Sequence, residues 1–171
     1  MKRVVVTGIG AVTPIGNDVG TFRSNLQNGV SGIASITRFD TADWKYKLAA
    51  EVKNFDPLNR LDKTTVRKTD RFVQYALYAA DEAMELSGIS GTVDRFRLGV
   101  YFGSGIGGFE TFCEDHRLLL EYGIRKVSPQ FISKMISNIA AGNIAIRYGA
   151  NGPCLSVTKA CATGTTAIGE A

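Results

Sequence analysis

Residues 154–166 read CLSVTKACATGTT, and the interpretation of the whole chain starts from this stretch. Residues 154–157 have the apolar character of a short strand, and small or hydroxylated residues follow Cys161 where a helix can begin. Such a turn presents a cysteine as a nucleophile, because the N–H groups of a helix start stabilise a thiolate and can hold an oxyanion. The alternative is that Cys161 is a small buried hydrophobe, as a lone cysteine usually is.

The composition indicates one soluble, globular domain. The chain has 171 residues, of which 44% are hydrophobic and 21% charged, with a net charge of +4. No apolar run approaches the length of a membrane span, and residues 1–6 are interpreted as the start of a strand and not as a signal peptide. Three cysteines without a CxxC pair and a single histidine predict reduced thiols and no zinc site, so we expect a cytoplasmic protein. Cys113 and Cys154 are interpreted as structural.

Strand and helix signals alternate along the chain, which predicts an α/β fold with a mostly parallel sheet. Helices are expected after a cap at Asn17 or Asp18, from Thr69 or Asp70 to Gly88, from about 109 to 122, and from a Ser128-Pro129 start to about 148 with a break near 137–138. Strands are expected at 4–6, 98–102 and 154–157, and loops with short strands at 31–59.

Residues 103–108 read GSGIGG, which spells the GxGxxG fingerprint of dinucleotide-binding proteins. The segment does not follow the first strand, the bulky Phe109 comes directly after it, and no strand ending in Asp or Glu follows at the required distance. The alternative is a glycine turn that lets backbone or a ligand come close, with Ile106 as its one bulky exposed side chain.

A cluster of basic residues precedes the clearest helix and includes Lys63, Arg67 and Lys68. Such a cluster is either solvated surface or a docking patch for an acidic partner. His116 is interpreted as an ordinary packed or surface histidine.

Five segments carry a resemblance to a known family: VVVTGIG at 4–10, TPIGN at 13–17, GSGIGG at 103–108, GANGP at 149–153 and ACATG at 160–164. In this order and spacing the chain resembles the β-ketoacyl-[acyl carrier protein] synthases, and among them the long-chain condensing enzymes of bacterial fatty-acid synthesis. The resemblance covers essentially the whole chain. It implies a thiolase-like α/β fold, with residues 1–171 forming an incomplete N-terminal half-domain that stops before its last strands, the second half being absent.

The resemblance also implies a reaction and its residues. Cys161 would accept an acyl group from acyl carrier protein as a thioester, its N–H would contribute to the oxyanion hole, and the acyl-enzyme would then condense with decarboxylated malonyl-carrier protein. No cofactor is implied beyond the phosphopantetheine of the carrier protein, and neither nucleic acid nor membrane is a partner. The other implied sites are the acyl pocket at Ile106, a contact of Phe131 with the partner subunit of a homodimer, and carrier-protein docking at Lys63, Arg67 and Lys68.

Two departures from the family pattern bear on activity. Lys159 stands where the family usually has threonine, and we expect its ammonium to point away from the pocket, because burial of an unpaired lysine is costly. The family also needs two histidines, a lysine and a phenylalanine segment from later in the chain, so the 171-residue chain alone is expected to be inactive. The alternatives are a related short-chain or polyketide ketosynthase, and a non-catalytic remnant that binds carrier protein.

Overall fold

The computed structural model describes residues 3–171, which divide into two compact units. The first unit contains the chain up to Asp56 together with Tyr78–Ser87. The second unit contains Pro57–Leu77 and Gly88–Ala171. All of the candidate site residues predicted above lie in the second unit.

The helices and strands follow one another in this order: α1 (Val19–Gln27), β1 (Ile33–Ser35), β2 (Leu48–Ala50), α2 (Lys63–Lys68), α3 (Arg71–Ser87), β3 (Val100–Gly103), α4 (Phe109–Tyr122), α5 (Phe131–Met135), α6 (Ile139–Tyr148), β4 (Cys154–Val157) and α7 (Thr163–Glu170). Short 3-10 turns occur at Pro57–Asn59, Arg95–Arg97, Ile124–Lys126 and Ala160–Ala162. Among the described residues, no helix is both long enough and apolar enough to cross a membrane.

The first unit is organised around the C-terminal part of α3. The buried Glu82 carboxylate accepts hydrogen bonds from the Ala11 N–H at 3.0 Å and from the Val19 N–H at 2.7 Å, so it fixes both the opening loop and the start of α1. The opening glycines pack on the same helix. A Cβ atom on Gly10 would lie 1.8 Å from the Ala79 carbonyl oxygen, so this position accepts glycine alone. β1 and β2 pair antiparallel, with Ile33 opposite Ala50.

The second unit has a two-stranded parallel sheet at its centre. β3 pairs with β4 so that Val100 lies opposite Cys154 and Gly103 opposite Val157, and α6 and α7 pack on these strands. Parallel strands need a long crossover, which α4, α5 and α6 supply. A core cluster joins α3 and α6 and consists of Leu61, Val73, Ala76, Leu77 and Ala140.

The helix predictions are confirmed in type and nearly in position. Asp18 caps α1 by accepting from the Thr21 N–H at 2.7 Å, and α4 spans the predicted residues. Gly88 follows α3 at φ +64°, a left-handed conformation that favours glycine. The break predicted near 137–138 separates α5 from α6.

Three details of the sequence-based prediction are wrong. Residues 4–6 form no strand and are exposed, because no described segment pairs with them. The helix predicted from Ser128 begins later, at Phe131: the Ser128 hydroxyl oxygen accepts from the Gln130 N–H at 3.1 Å, but this bond lies in a turn that precedes the helix. The sheet is not mostly parallel either, since the described strands form one parallel and one antiparallel pair.

Candidate active site

Cys161 lies on the 3-10 turn Ala160–Ala162, between the end of β4 and the start of α7. Its side chain is exposed, so the alternative that it is a buried hydrophobe is wrong. Cys113 and Cys154 are exposed as well, and neither has the buried position expected of a structural cysteine. Exposure therefore does not distinguish Cys161 from the other two thiols. What distinguishes it is its position on a turn directly before a helix.

The residue before Cys161 has an unusual backbone. Ala160 adopts φ +45°, a left-handed conformation that costs a residue with a side chain about 1–3 kcal/mol. The bend turns the chain sharply out of β4 and places Cys161 directly ahead of α7. Lys159, one residue earlier, is exposed, as expected for an ammonium that avoids burial.

The glycine turn at 103–108 lies beside the cysteine turn. Gly103 ends β3 opposite Val157 of β4, and the Thr158 hydroxyl donates to the Ser104 carbonyl oxygen at 3.0 Å. The Ser104 hydroxyl oxygen in turn accepts from the Gly107 N–H at 2.9 Å, which closes the turn. Ile106, at its tip, is 69% exposed. The carboxyl ends of both parallel strands therefore carry a predicted site residue.

Phe131 reaches the same region through α5. The Gly108 N–H donates to the Met135 carbonyl oxygen at 2.8 Å, and Gly107 has φ +88° where a Cβ atom would lie 2.3 Å from that oxygen. These glycines serve close approach of backbone, as the non-nucleotide alternative predicted. The half-buried Phe131 ring contacts Phe112 of α4 with 6.3 Å between ring centroids.

The single histidine does not join this arrangement. His116 is exposed on α4 and stacks on Phe112 with 5.9 Å between centroids and 4° between planes. Within residues 3–171 no group of three acidic, histidine or cysteine side chains is placed to hold a metal ion. A polar cavity of about 300 Å³ lies between the first turns of α3 and α4 and Lys134, and neither Cys161 nor Ile106 lines it.

The predicted docking residues Lys63, Arg67 and Lys68 are exposed on α2. Asp62 caps this helix: its carboxylate accepts from the Thr65 N–H at 3.0 Å and from the Thr65 hydroxyl at 2.5 Å. The hydroxyl bond, which favours the ionised carboxylate, holds the pKa of Asp62 below its ordinary value.

Comparison with known protein families identifies the family to which the chain belongs. The family described as "Beta-ketoacyl synthase, N-terminal domain" matches residues 1–171. The chain belongs to the beta-ketoacyl synthase family. The 3-oxoacyl-[acyl-carrier-protein] synthase 2 of Staphylococcus aureus (strain COL) is 49% identical over 99% of this chain. The protein of the same name from Coxiella burnetii is 44% identical over 99% of it. The chain spans 41% of the length of each of these relatives.

Solved ketosynthases have the same fold. A beta-ketoacyl synthase from Burkholderia phymatum superposes with a TM-score of 0.83 at 28% identity, over all of this chain and 43% of the other. A type II polyketide acyl-carrier protein in complex with its ketosynthase, bound to the hexaketide, matches with a TM-score of 0.81 at 28% identity, over 100% of this chain and 46% of that chain. The thiolase-like α/β fold expected from the sequence is confirmed.

Two residues of the site region were not predicted from the sequence. Thr163 bonds to the backbone of Lys159 and Ala160, just before Cys161, and Asp70 fixes the start of α4, directly after the glycine turn. Thr163 carries a local signal, since a hydroxyl two residues after the cysteine can bond back to the turn. Asp70 carries none, because its partner Thr111 is 41 residues away.

Proposed function

We propose that Cys161 is the nucleophile of a 3-oxoacyl-[acyl-carrier-protein] synthase that elongates fatty acyl chains. The observation that carries the proposal is the exposed Cys161 thiol on a bent turn directly before α7. Backbone N–H groups at a helix start stabilise negative charge, both on a thiolate and on the oxyanion that forms when it attacks a carbonyl. The names of the relatives at 44–49% identity support this substrate class.

The proposed chemistry has two steps. In the first, the Cys161 sulfur loses its proton and attacks the thioester carbonyl of an acyl-carrier protein, the bond from that carbonyl to the phosphopantetheine sulfur breaks, and the released carrier thiolate takes up a proton. In the second, malonyl-carrier protein loses carbon dioxide, and the resulting carbanion attacks the acyl-Cys161 carbonyl. The bond between the acyl carbonyl and the Cys161 sulfur breaks, the product leaves as 3-oxoacyl-carrier protein, and the Cys161 thiolate takes up a proton from water to regenerate the thiol.

Ile106 and Phe131 are proposed to shape the acyl pocket. Ile106 projects from the glycine turn that is bonded to the cysteine turn, and Phe131 lies on the helix that packs against the same glycines. The 69% exposure of Ile106 leaves its side chain available to an acyl chain. Phe131 would reach the pocket of the partner subunit in a homodimer.

The acidic carrier protein is proposed to dock on α2. Lys63, Arg67 and Lys68 are exposed on α2, so the three cationic groups are accessible to an acidic partner. Charges at the rim of an interface act mainly on the association rate and lose their effect in salt. The ketosynthase that has been solved with its acyl-carrier protein supports a partner of this class. We further propose a cytoplasmic location, and no cofactor, nucleic acid or membrane partner.

The proposal is tested by acyl transfer to the three thiols. The chain is incubated with a long-chain acyl-carrier protein, and the site of thioester formation is found by peptide mass spectrometry. Since Cys113, Cys154 and Cys161 are all exposed, simple exposure predicts acylation of all three. We expect the acyl group on Cys161, and none in Cys161→Ser. Equal acylation of the three cysteines, or acylation of Cys154 alone, would contradict the assignment.

We expect the 171-residue chain to stop at the acyl-enzyme. Its single histidine, His116, is stacked on Phe112 of α4, so no histidine pair is present to promote decarboxylation. Release of carbon dioxide from malonyl-carrier protein by the purified chain would overturn this expectation.

A polyketide ketosynthase is the second candidate, because the structural match with the polyketide synthase complex has a TM-score of 0.81. The two candidates are separated by comparing the rate of Cys161 acylation by a carrier protein that bears a saturated long acyl chain with the rate for a carrier protein that bears a polyketide. Faster reaction with the polyketide thioester would favour the second.

A further inference from the structure

The turn that carries Cys161 contains a residue in an intrinsically unfavourable backbone conformation. Ala160 has φ +45°, and no glycine is present there to accept that conformation without cost. An alanine in this conformation relaxes to an ordinary one unless its surroundings prevent it. A contact that prevents the relaxation must therefore lie close to Ala160.

The Thr163 hydroxyl makes that contact. Its oxygen accepts a hydrogen bond from the Lys159 N–H at 2.8 Å, and its O–H donates to the Ala160 carbonyl oxygen at 2.8 Å. Both backbone partners precede Cys161: one is the N–H of Lys159 and the other is the carbonyl of the strained Ala160 itself. One hydroxyl therefore uses its donor and an acceptor site to close the turn.

Thr163 is itself held in place. The residue is 6% exposed, and its Cγ2 methyl lies where a Cβ atom on Gly103 would come within 2.2 Å. The methyl thus packs against the end of β3, in space that a side chain at position 103 would occupy. The side chain cannot rotate without losing either the methyl contact or the two hydrogen bonds.

We propose that Thr163 is a positioning residue for the Cys161 nucleophile, an inference that rests on the proposed role of that cysteine. Its hydroxyl clamps the left-handed Ala160 so that the thiol stays directly ahead of α7. Without the hydroxyl the turn relaxes, and the sulfur leaves the helix start that stabilises the thiolate.

The central variant is Thr163→Val, which keeps the methyl against Gly103 and replaces the hydroxyl by a second methyl. A carbon cannot remain 2.8 Å from a nitrogen and an oxygen, since such contacts are comfortable only near 3.5–4.0 Å. The turn therefore has to move. Thr163→Ser retains the hydroxyl and is the rescue variant. Thr166→Val is the matched control, because the Thr166 hydroxyl also bonds back to its own helix start, at the Ala162 carbonyl oxygen, but does not touch Lys159 or Ala160.

The measurement is the rate of iodoacetamide alkylation at each cysteine of the same molecule, read by mass spectrometry. We expect Thr163→Val to slow alkylation of Cys161 by about tenfold relative to Cys154, which corresponds to a rise of about 1.4 kcal/mol in the activation free energy. Thr163→Ser and Thr166→Val are expected to stay within about twofold of the unsubstituted chain. A role limited to stability would not change the ratio of rates between two cysteines in one folded chain, so an unchanged ratio in Thr163→Val would overturn the proposal.

The same data separate this inference from the proposed function. Equal alkylation of all three cysteines in the unsubstituted chain would contradict Cys161 as the reactive thiol. Selective alkylation of Cys161 that Thr163→Val leaves intact would contradict only the role of Thr163.

Hydrogen exchange at the Lys159 N–H tests the clamp without any substitution and decides the matter if Thr163→Val does not fold. This amide lies outside every helix and strand, and its acceptor is the Thr163 hydroxyl. Protection comparable to that of the α7 amides would support the clamp, and free exchange would overturn it.

Discussion

Substitution of Asp70 is expected to destabilise the second unit more than the loss of a helix cap explains. Asp70 directly precedes α3 and is 7% exposed. One carboxylate oxygen accepts from the Phe72 N–H at 3.1 Å. The other accepts from the Thr111 N–H at 2.9 Å and from the Thr111 hydroxyl at 2.6 Å. One buried side chain thus fixes the first turns of both α3 and α4.

The magnitude follows from these bonds. Loss of the cap on α3 costs about 1 kcal/mol. Asp70→Ala also leaves the Thr111 N–H and hydroxyl without their charged acceptor in a half-buried site, which costs about 1–3 kcal/mol. We therefore expect Asp70→Ala to lower the free energy of unfolding by about 3 kcal/mol. The change lies beside the glycine turn, since a Cβ atom on Gly108 would come within 3.0 Å of the Asp70 carboxylate.

Urea unfolding followed by circular dichroism measures this loss, and the chain provides a matched control. Asp62 makes the same kinds of bonds before α2, from the Thr64 and Thr65 N–H groups and the Thr65 hydroxyl, but all within one exposed helix turn. Asp62→Ala removes a local cap without orphaning a distant group, so its effect should be clearly the smaller of the two.

A double-mutant cycle with Thr111→Val isolates the long-range bond. We expect Asp70→Ala and Thr111→Val to be strongly non-additive, because each removes the same interaction. The reasoning would be refuted if the two effects added independently, or if Asp70→Ala cost no more than Asp62→Ala.

Three further outcomes are expected. Gly103→Ala should lower the free energy of unfolding by about 1–3 kcal/mol, measured in urea, because the new Cβ would lie 2.2 Å from the clamped Thr163 methyl; an unchanged value would show that Thr163 moves freely. The hydrogen bonds to the ionised Asp62 carboxylate lower its pKa in the folded chain. They therefore stabilise α2 fully above the unfolded-state pKa of about 3.9, and this stabilisation is lost as the pH falls through the lower folded-state pKa. Amide protection of α2 should therefore decrease below about pH 4, and Thr65→Val, which removes the bond that lowers the pKa, should weaken this dependence. A long-chain acyl chloromethyl ketone should alkylate Cys161 first, and a first adduct on another cysteine in the peptide map would count against the proposed pocket.

Elements with local stop and start signals could be predicted from the sequence. The Asp18 cap begins α1, and Gly88 ends α3 because only glycine adopts its positive φ cheaply. The order of β4, turn and α7 around Cys161 also follows from local composition, and the predicted break in the helical stretch near 137–138 is confirmed. These signals act within a few residues, so no knowledge of neighbours is needed.

Predictions that depended on distant partners were less accurate. The valines at 4–6 have strand composition, but a strand requires a hydrogen-bonded neighbour, and no described segment provides one. The Ser128 hydroxyl oxygen accepts from the Gln130 N–H as a cap would, but residues 129–130 form a turn and the helix begins three residues after Ser128. The strand prediction failed because strand pairing depends on residues outside the local window.

By itself the sequence determined the approximate positions of α1, α3, α4 and α6, that Cys161 stands on a turn before a helix, and to which family the ordered segments are similar. Only the tertiary structure decided what holds that turn. The methyl of Thr163, the first residue of α7, lies against Gly103 at the end of β3, and Asp70 bonds to Thr111, 41 residues away. Composition cannot reveal such pairs, because a methyl or a carboxylate meets a partner from a distant part of the chain only when folding brings the two into contact.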